Sequence, residues 1–172
     1  YIDPIKNLSI ETYGTLFFMN SYDLIQDMTF TQSRDFMTGF KAKYDVKDWF
    51  SVHLSMHADF YDRFKRHERL DERKKVYKSC ILEPRLTVTS NYFNHHSLIF
   101  GIEHTSDELT SDRFVNRKMT TRALHETEYF LQDEWIPNTH WLLSTGVRTN
   151  FSKAFGFMWM PKLAAKYSLN NH

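Results

Sequence analysis

The chain has 172 residues, and 22 Lys and Arg against 21 Asp and Glu leave a formal net charge of +1. That balance lacks the basic excess that neutralises phosphate backbones, so nucleic acid is not an expected partner. Aromatic residues make up 16% while mean hydropathy is −0.55, a pairing that suits strands with one apolar and one wet face and disfavours a helical bundle.

Only 5 Gly and 4 Pro argue against disorder, and the length fits one unit with a sizeable core. The single Cys80 permits no internal disulfide, and no Cys/His spacing suggests a zinc site. No apolar run is long enough for a spanning helix, a test blind to barrels, whose strands need only alternate. The start at Tyr1 carries no signal-peptide pattern, which implies a trimmed secreted protein or an internal fragment.

In chain order, Ser9 to Met19 reads as a first strand, followed by alternation through Phe36, Thr38, Phe40, Ala42 and Tyr44. The clearest segment is Phe50 to Phe60. Here Phe50, Val52, Leu54, Met56, Ala58 and Phe60 alternate with Ser51, His53, Ser55, His57 and Asp59, a two-faced strand. On a helix, His53 and His57 would share a face with Phe50 and Phe60 and destroy any apolar stripe. Leu82 to Val88, Leu98 to Ile102, Tyr129 to Leu131, Trp141 to Val147 and Trp159 to Tyr167 continue the pattern, giving eight strands.

The connections alternate in length. Short polar turns are expected near Val46–Asp48, Asn91–His95 and Pro137–Thr139, and longer charged loops at Asn20–Gln32, Arg63–Lys78 and Thr105–Thr121. Up-and-down strands would place the short turns at one end and the loops at the other, as outer-membrane barrels do with periplasmic turns and extracellular loops. Only the connection between Phe151 and Phe157 is short on the long side. Rings mark the strand ends: Tyr44, Trp49, Trp135, Trp141 and Tyr167 at the short-turn end, and Phe60, Tyr77 and Trp159 at the other. Two such girdles suit a bilayer. Alternation alone does not state which face is inside, and a soluble eight-stranded barrel would bury the apolar set.

Phe130 to Trp135 reads FLQDEW, Trp141 follows, then Ser144 to Arg148 reads STGVR and Pro161 to Tyr167 reads PKLAAKY. This order resembles the barrel of TonB-dependent receptors, in which a strand pair like FxQDEW is followed by GxR and a later SPKxxxxY. Leu98 to His104, LIFGIEH, is similar to the preceding family strand with its G-x-E. The resemblance implies a bacterial outer-membrane receptor barrel whose full form has 22 strands, an N-terminal plug and a segment that contacts TonB. Neither plug nor TonB segment is recognisable in residues 1–172. The implied role is energised uptake of a scarce nutrient: an iron siderophore, haem, cobalamin or a glycan.

Candidate site residues follow from this frame. Leu54, Met56, Leu98, Phe100, Leu143 and Leu163 are expected to face lipid, and His53, His57, Gln132 and Glu134 the lumen. His53 and His57 lie four apart on a strand, roughly 13 Å, too far to share an ion. The basic stretch Arg63, Lys65, Arg66, His67, Arg69, Arg73, Lys74 and Lys75, interrupted by Glu68, Asp71 and Glu72, is the candidate for an anionic ligand, with its first five cations as the ligand-binding set, or for lipopolysaccharide phosphates. Asn94, His95 and His96 form a polar cluster at a turn, and Asp133 is expected near the membrane boundary. Gln132 and Glu134 face away from Asp133, which removes a carboxylate pair for hydrolysis.

No nucleophile elbow, phosphate-binding glycine loop or H-E-x-x-H occurs, so no enzymatic activity and no bound cofactor are expected. The expectation is an all-β, antiparallel, up-and-down transmembrane β-barrel fragment with outer-membrane lipid and lipopolysaccharide, a small-molecule nutrient, and TonB through parts not recognised here as partners. The rivals are a passive porin or structural barrel and a soluble ligand-binding β-barrel.

Overall fold

The computed structural model describes residues 2–5, 7–23, 29–67, 73–91, 93–115 and 118–169. It is all-β: β1 (Ile2–Ile5), β2 (Leu8–Asp23), β3 (Thr29–Lys47), β4 (Phe50–His67), β5 (Arg73–Ser90), β6 (His96–Val115), β7 (Lys118–Asn138), β8 (Trp141–Ser152) and β9 (Gly156–Tyr167). Each strand pairs antiparallel with the next, in the order β1 to β9, so the sheet is an up-and-down meander. The eight expected strands are present as β2 to β9, and the four-residue β1 is an addition.

Two-residue turns reverse the chain at Asp48–Trp49 and Thr139–His140, close to the expected positions. The long charged loops are a correction. β2 runs to Asp23 and β3 begins at Thr29; β4 runs to His67 and β5 begins at Arg73; β6 runs to Val115 and β7 begins at Lys118. The alternation signal is lost there because charged and polar residues enter both faces, while the ladder continues. Cross-strand pairs hold these extensions: Lys75 Nζ bonds Asp62 at 2.9 Å, and the Thr110 and Thr121 hydroxyls meet at 2.8 Å.

The register fixes two faces. Leu54 stands between Ala42 on β3 and Leu86 on β5, and Phe100 between Val88 on β5 and Leu131 on β7. Leu131 continues to Val147 and that to Pro161. Because directly paired residues share a face, an apolar band crosses the whole sheet. Its opposite face carries Lys41, Ser55, Arg85 and Glu103 in one row.

The usual partition is inverted. Among the described residues Ala58 is the one apolar side chain that is buried, whereas Ser33, Ser111, Ser144, Asn150 and Ser152 are all buried. Leu54 is 43% exposed, Phe100 48% and Leu163 85%. The accessible surface of 12918 Å² exceeds the roughly 8,900 Å² that a folded monomer of this mass presents. A single-layer sheet, whose apolar face is covered by no second layer among the described residues, accounts for both facts. No pairing joins β9 to β1 or β2 among the described residues, and every residue of β9 is exposed.

One ladder position is broken inside the sheet. Glu83 and Pro84 lack β6 partners, yet Leu82 pairs Ser106 and Arg85 pairs Glu103 without any change of register. A proline has no N–H to donate across that gap.

Candidate functional site

The polar face is built from side chains that alternate with the apolar band, so each is placed by strand register and not by a loop. On β4, His53 and His57 both point to it, as expected. The Tyr13 hydroxyl lies 3.0 Å from His57 Nδ1, and the Ser51 hydroxyl 3.2 Å from His53 Nε2. These two rings therefore have separate partners, and no group of metal-ligating side chains occurs among the described residues.

Further along the same face, an aromatic ring is enclosed by charge. Phe130 pairs Gly101 on one side and Arg148 on the other. A Cβ added at Gly101 would lie 2.2 Å from the Phe130 ring, so only glycine lets that ring lie across β6. The Arg85 guanidinium sits 5.0 Å from the ring centroid and that of Arg148 5.8 Å. Arg85 also meets Glu103 at 3.5 Å, and Arg148 meets Glu128 at 3.3 Å. Sequence reasoning read FLQDEW as a motif and missed this cluster, because its members come from four strands. The glycine before I-E-H was the available signal.

Gln132 and Glu134 share the polar face, and Gln132 Nε2 donates to Glu134 Oε1 at 3.1 Å. Lys162 Nζ donates to Gln132 Oε1 at 3.4 Å. Asn150 Nδ2 reaches Glu128 Oε1 at 3.3 Å. Phe130, Gln132, Arg148 and Lys162 line an open cavity of about 330 Å³. The arrangement can hold polar or charged groups by hydrogen bonds.

The expected lipid-facing set, Leu54, Met56, Leu98, Phe100, Leu143 and Leu163, falls on the apolar face without exception. At the short-turn end of that face, Trp141 and Tyr167 rings lie 4.8 Å apart, Trp135 stacks on His96 at 5.6 Å, and Tyr44 pairs Val52. Trp49 occupies the adjoining turn beneath the Lys47 ammonium, 5.2 Å from its ring. Asp133, also on the apolar face, meets His96 Nδ1 at 2.8 Å, which gives one of the two turn histidines a partner. At the opposite end Phe36 and Phe60 stack at 6.1 Å, and Trp159 pairs Thr149. Tyr77 departs from the expected girdle. It pairs Arg63 and packs edge-on to Tyr61 on the polar face.

The basic stretch is also corrected. Arg63, Lys65, Arg66 and His67 belong to β4 and not to a loop, and Arg69 lies outside the described residues. Strand geometry splits them: Arg63 pairs Ser33 and Lys65 pairs Thr31 on the polar face, while Arg66 pairs Phe30 on the apolar one. Arg63 and Lys65 line one cavity on the polar face, and Arg66 faces away from it. Arg63 donates from Nε to the Tyr61 hydroxyl at 3.0 Å, and that hydroxyl donates to Ser33 Oγ at 3.0 Å.

No protein-family model matches the chain, and no curated protein sequence matches it.

Proposed function

We propose that the chain is part of the barrel of a TonB-dependent outer-membrane receptor, with the apolar face against lipid and the polar face lining the lumen. The observation that carries this reading is the inverted partition, with exposed leucines and phenylalanines across one face and sheltered serines on the other. A soluble barrel would need those apolar side chains in a core. From Phe50 to Phe60, ten residue steps at about 3.3 Å and a tilt near 40° cover about 25 Å, the height of the apolar band of such barrels. Rings flank that band at both ends. The sequence resemblance through FLQDEW, STGVR and PKLAAKY supports the receptor over a porin. On this reading the protein binds a scarce nutrient outside the cell, carries out no chemistry on it, and imports it with energy delivered through TonB.

The test is lipid contact. In a Cys80→Ser background, fluorophores attached at positions 54 and 55 of the bilayer-reconstituted chain are exposed to brominated lipid. Strong quenching at 54 with little at 55 is expected. Equal quenching at both, or none in folded protein, overturns the proposal.

A further inference from the structure

Just beyond the apolar band, the same outward face changes character within one residue pair. On β3, Arg34 follows Phe36; on β4, Asp62, Phe64 and Arg66 follow Phe60; on β5, Lys78 follows Cys80. The register shift between Arg63 and Phe64 brings Lys75 opposite Phe64 and Arg73 opposite Arg66, which returns both cations to this face. The Phe64 ring then has three cations around it: Arg73 at 4.1 Å, Lys75 at 5.2 Å and Arg34 at 5.7 Å from its centroid. Arg73 Nη2 also donates to Gln32 Oε1, which fixes that guanidinium beside the ring. Against these cations stand Asp62, bonded to Lys75, and Glu108, opposite Cys80.

We propose that Arg34, Arg73, Lys75 and Lys78 form a headgroup site for a phosphate-bearing membrane lipid whose acyl chains lie on Phe36, Phe60 and Leu82. Two arguments select this occupant. Guanidinium groups held in place match phosphate bidentately, and the four cations outnumber the two carboxylates, Asp62 and Glu108, that share their face. The cluster is also continuous with the apolar band, at the level where a lipid's phosphate sits when its chains cover that band. A free anion would gain nothing from this continuity. The inference rests on the membrane reading above.

Cys80, the single cysteine, pairs Phe60 and stands one position below Lys78 on this face, so the native chain carries its own reporter. The chain labelled there with a fluorophore is reconstituted in phosphatidylcholine vesicles. Trace amounts of brominated diphosphoryl lipid A, or of its dephosphorylated form, are then added. The phosphorylated lipid is expected to quench at roughly tenfold lower mole fraction, the attraction of the interfacial cations for its phosphates being partly offset by the two carboxylates. Arg34→Gln/Arg73→Gln/Lys75→Gln should abolish the preference while brominated phosphatidylcholine still quenches. Raised salt on the unsubstituted chain should weaken it without any substitution. Equal quenching by both lipid A forms overturns the headgroup site and leaves the membrane reading standing. No quenching by any lipid overturns both.

Discussion

Replacing Leu54 by Arg separates a water-facing position from a lipid-facing one by magnitude. Leu54 is 43% exposed on the isolated sheet, and at a site facing water such a change stays within about 0.5 kcal/mol. Facing lipid near the middle of the Phe50 to Phe60 band, the buried guanidinium costs about 2–4 kcal/mol. A partner in the adjacent row sets the control. Ser55 lies between Lys41 and Arg85, so Ser55→Arg adds a cation opposite two others at up to about 1 kcal/mol each. Ser55→Glu meets opposite charges and should be neutral or slightly stabilising. Reversible urea unfolding in lipid vesicles, followed by tryptophan emission, should therefore rank Leu54→Arg well below Ser55→Arg, and Ser55→Glu near the parent. Leu54→Arg within about 0.5 kcal/mol of the parent, or Ser55→Glu as costly as Leu54→Arg, refutes the face assignment.

Gly101→Ala should cost about 2 kcal/mol or more, since its methyl would lie 2.2 Å from the Phe130 ring. Adding Phe130→Leu should recover part of that loss in the same unfolding assay, and failure to do so would place the strain elsewhere. The chain should self-associate in buffer without detergent or lipid, because its exposed apolar face and the open β9 edge both invite pairing. Analytical ultracentrifugation showing a folded monomer there would favour the soluble barrel. Purified TonB should not bind the chain, because the resemblance covers barrel strands alone; measurable binding by calorimetry would contradict that.

The strand and face of each residue were most legible where one face was apolar and the other polar. The alternation from Phe50 to Phe60 is legible residue by residue, with His53 and His57 on the face opposite Leu54, whereas the end of β4 at His67 is not. Two kinds of segment carry no hydrophobic period. Where charged residues enter both faces, as from Arg63 to His67 and from Thr105 to Val115, the hydrophobic period is lost and a strand looks like a loop. Where both faces are apolar, as in Leu16, Phe17, Phe18 and Met19 of β2, the period is also absent, and the strand is legible there without its faces. Contacts across strands were beyond sequence reading. The enclosure of Phe130 by Gly101, Arg85 and Arg148, and of Phe64 by three cations, depends on register, and a single bulge at Val76 moves Lys75 and Tyr77 to opposite faces.

The polar face also bears on the width of the proposed barrel. An eight-stranded barrel has an interior just filled by its own side chains. Here that space would have to accept the Tyr13–His57 pair, the Tyr61–Arg63–Tyr77 group and the Arg85–Phe130–Arg148 cluster from adjacent strands. Several of these are charged, and Arg85 and Arg148 keep 44% and 47% of their side chains exposed in the open sheet. Tight closure would strip that water from two ion pairs, whose mutual attraction offsets such desolvation only in very good geometry. At 3.5 and 3.3 Å these pairs are ordinary. The polar face is therefore better suited to the wall of a wide, wet lumen than to the packed interior of a small barrel, which favours the receptor reading over a closed eight-stranded one.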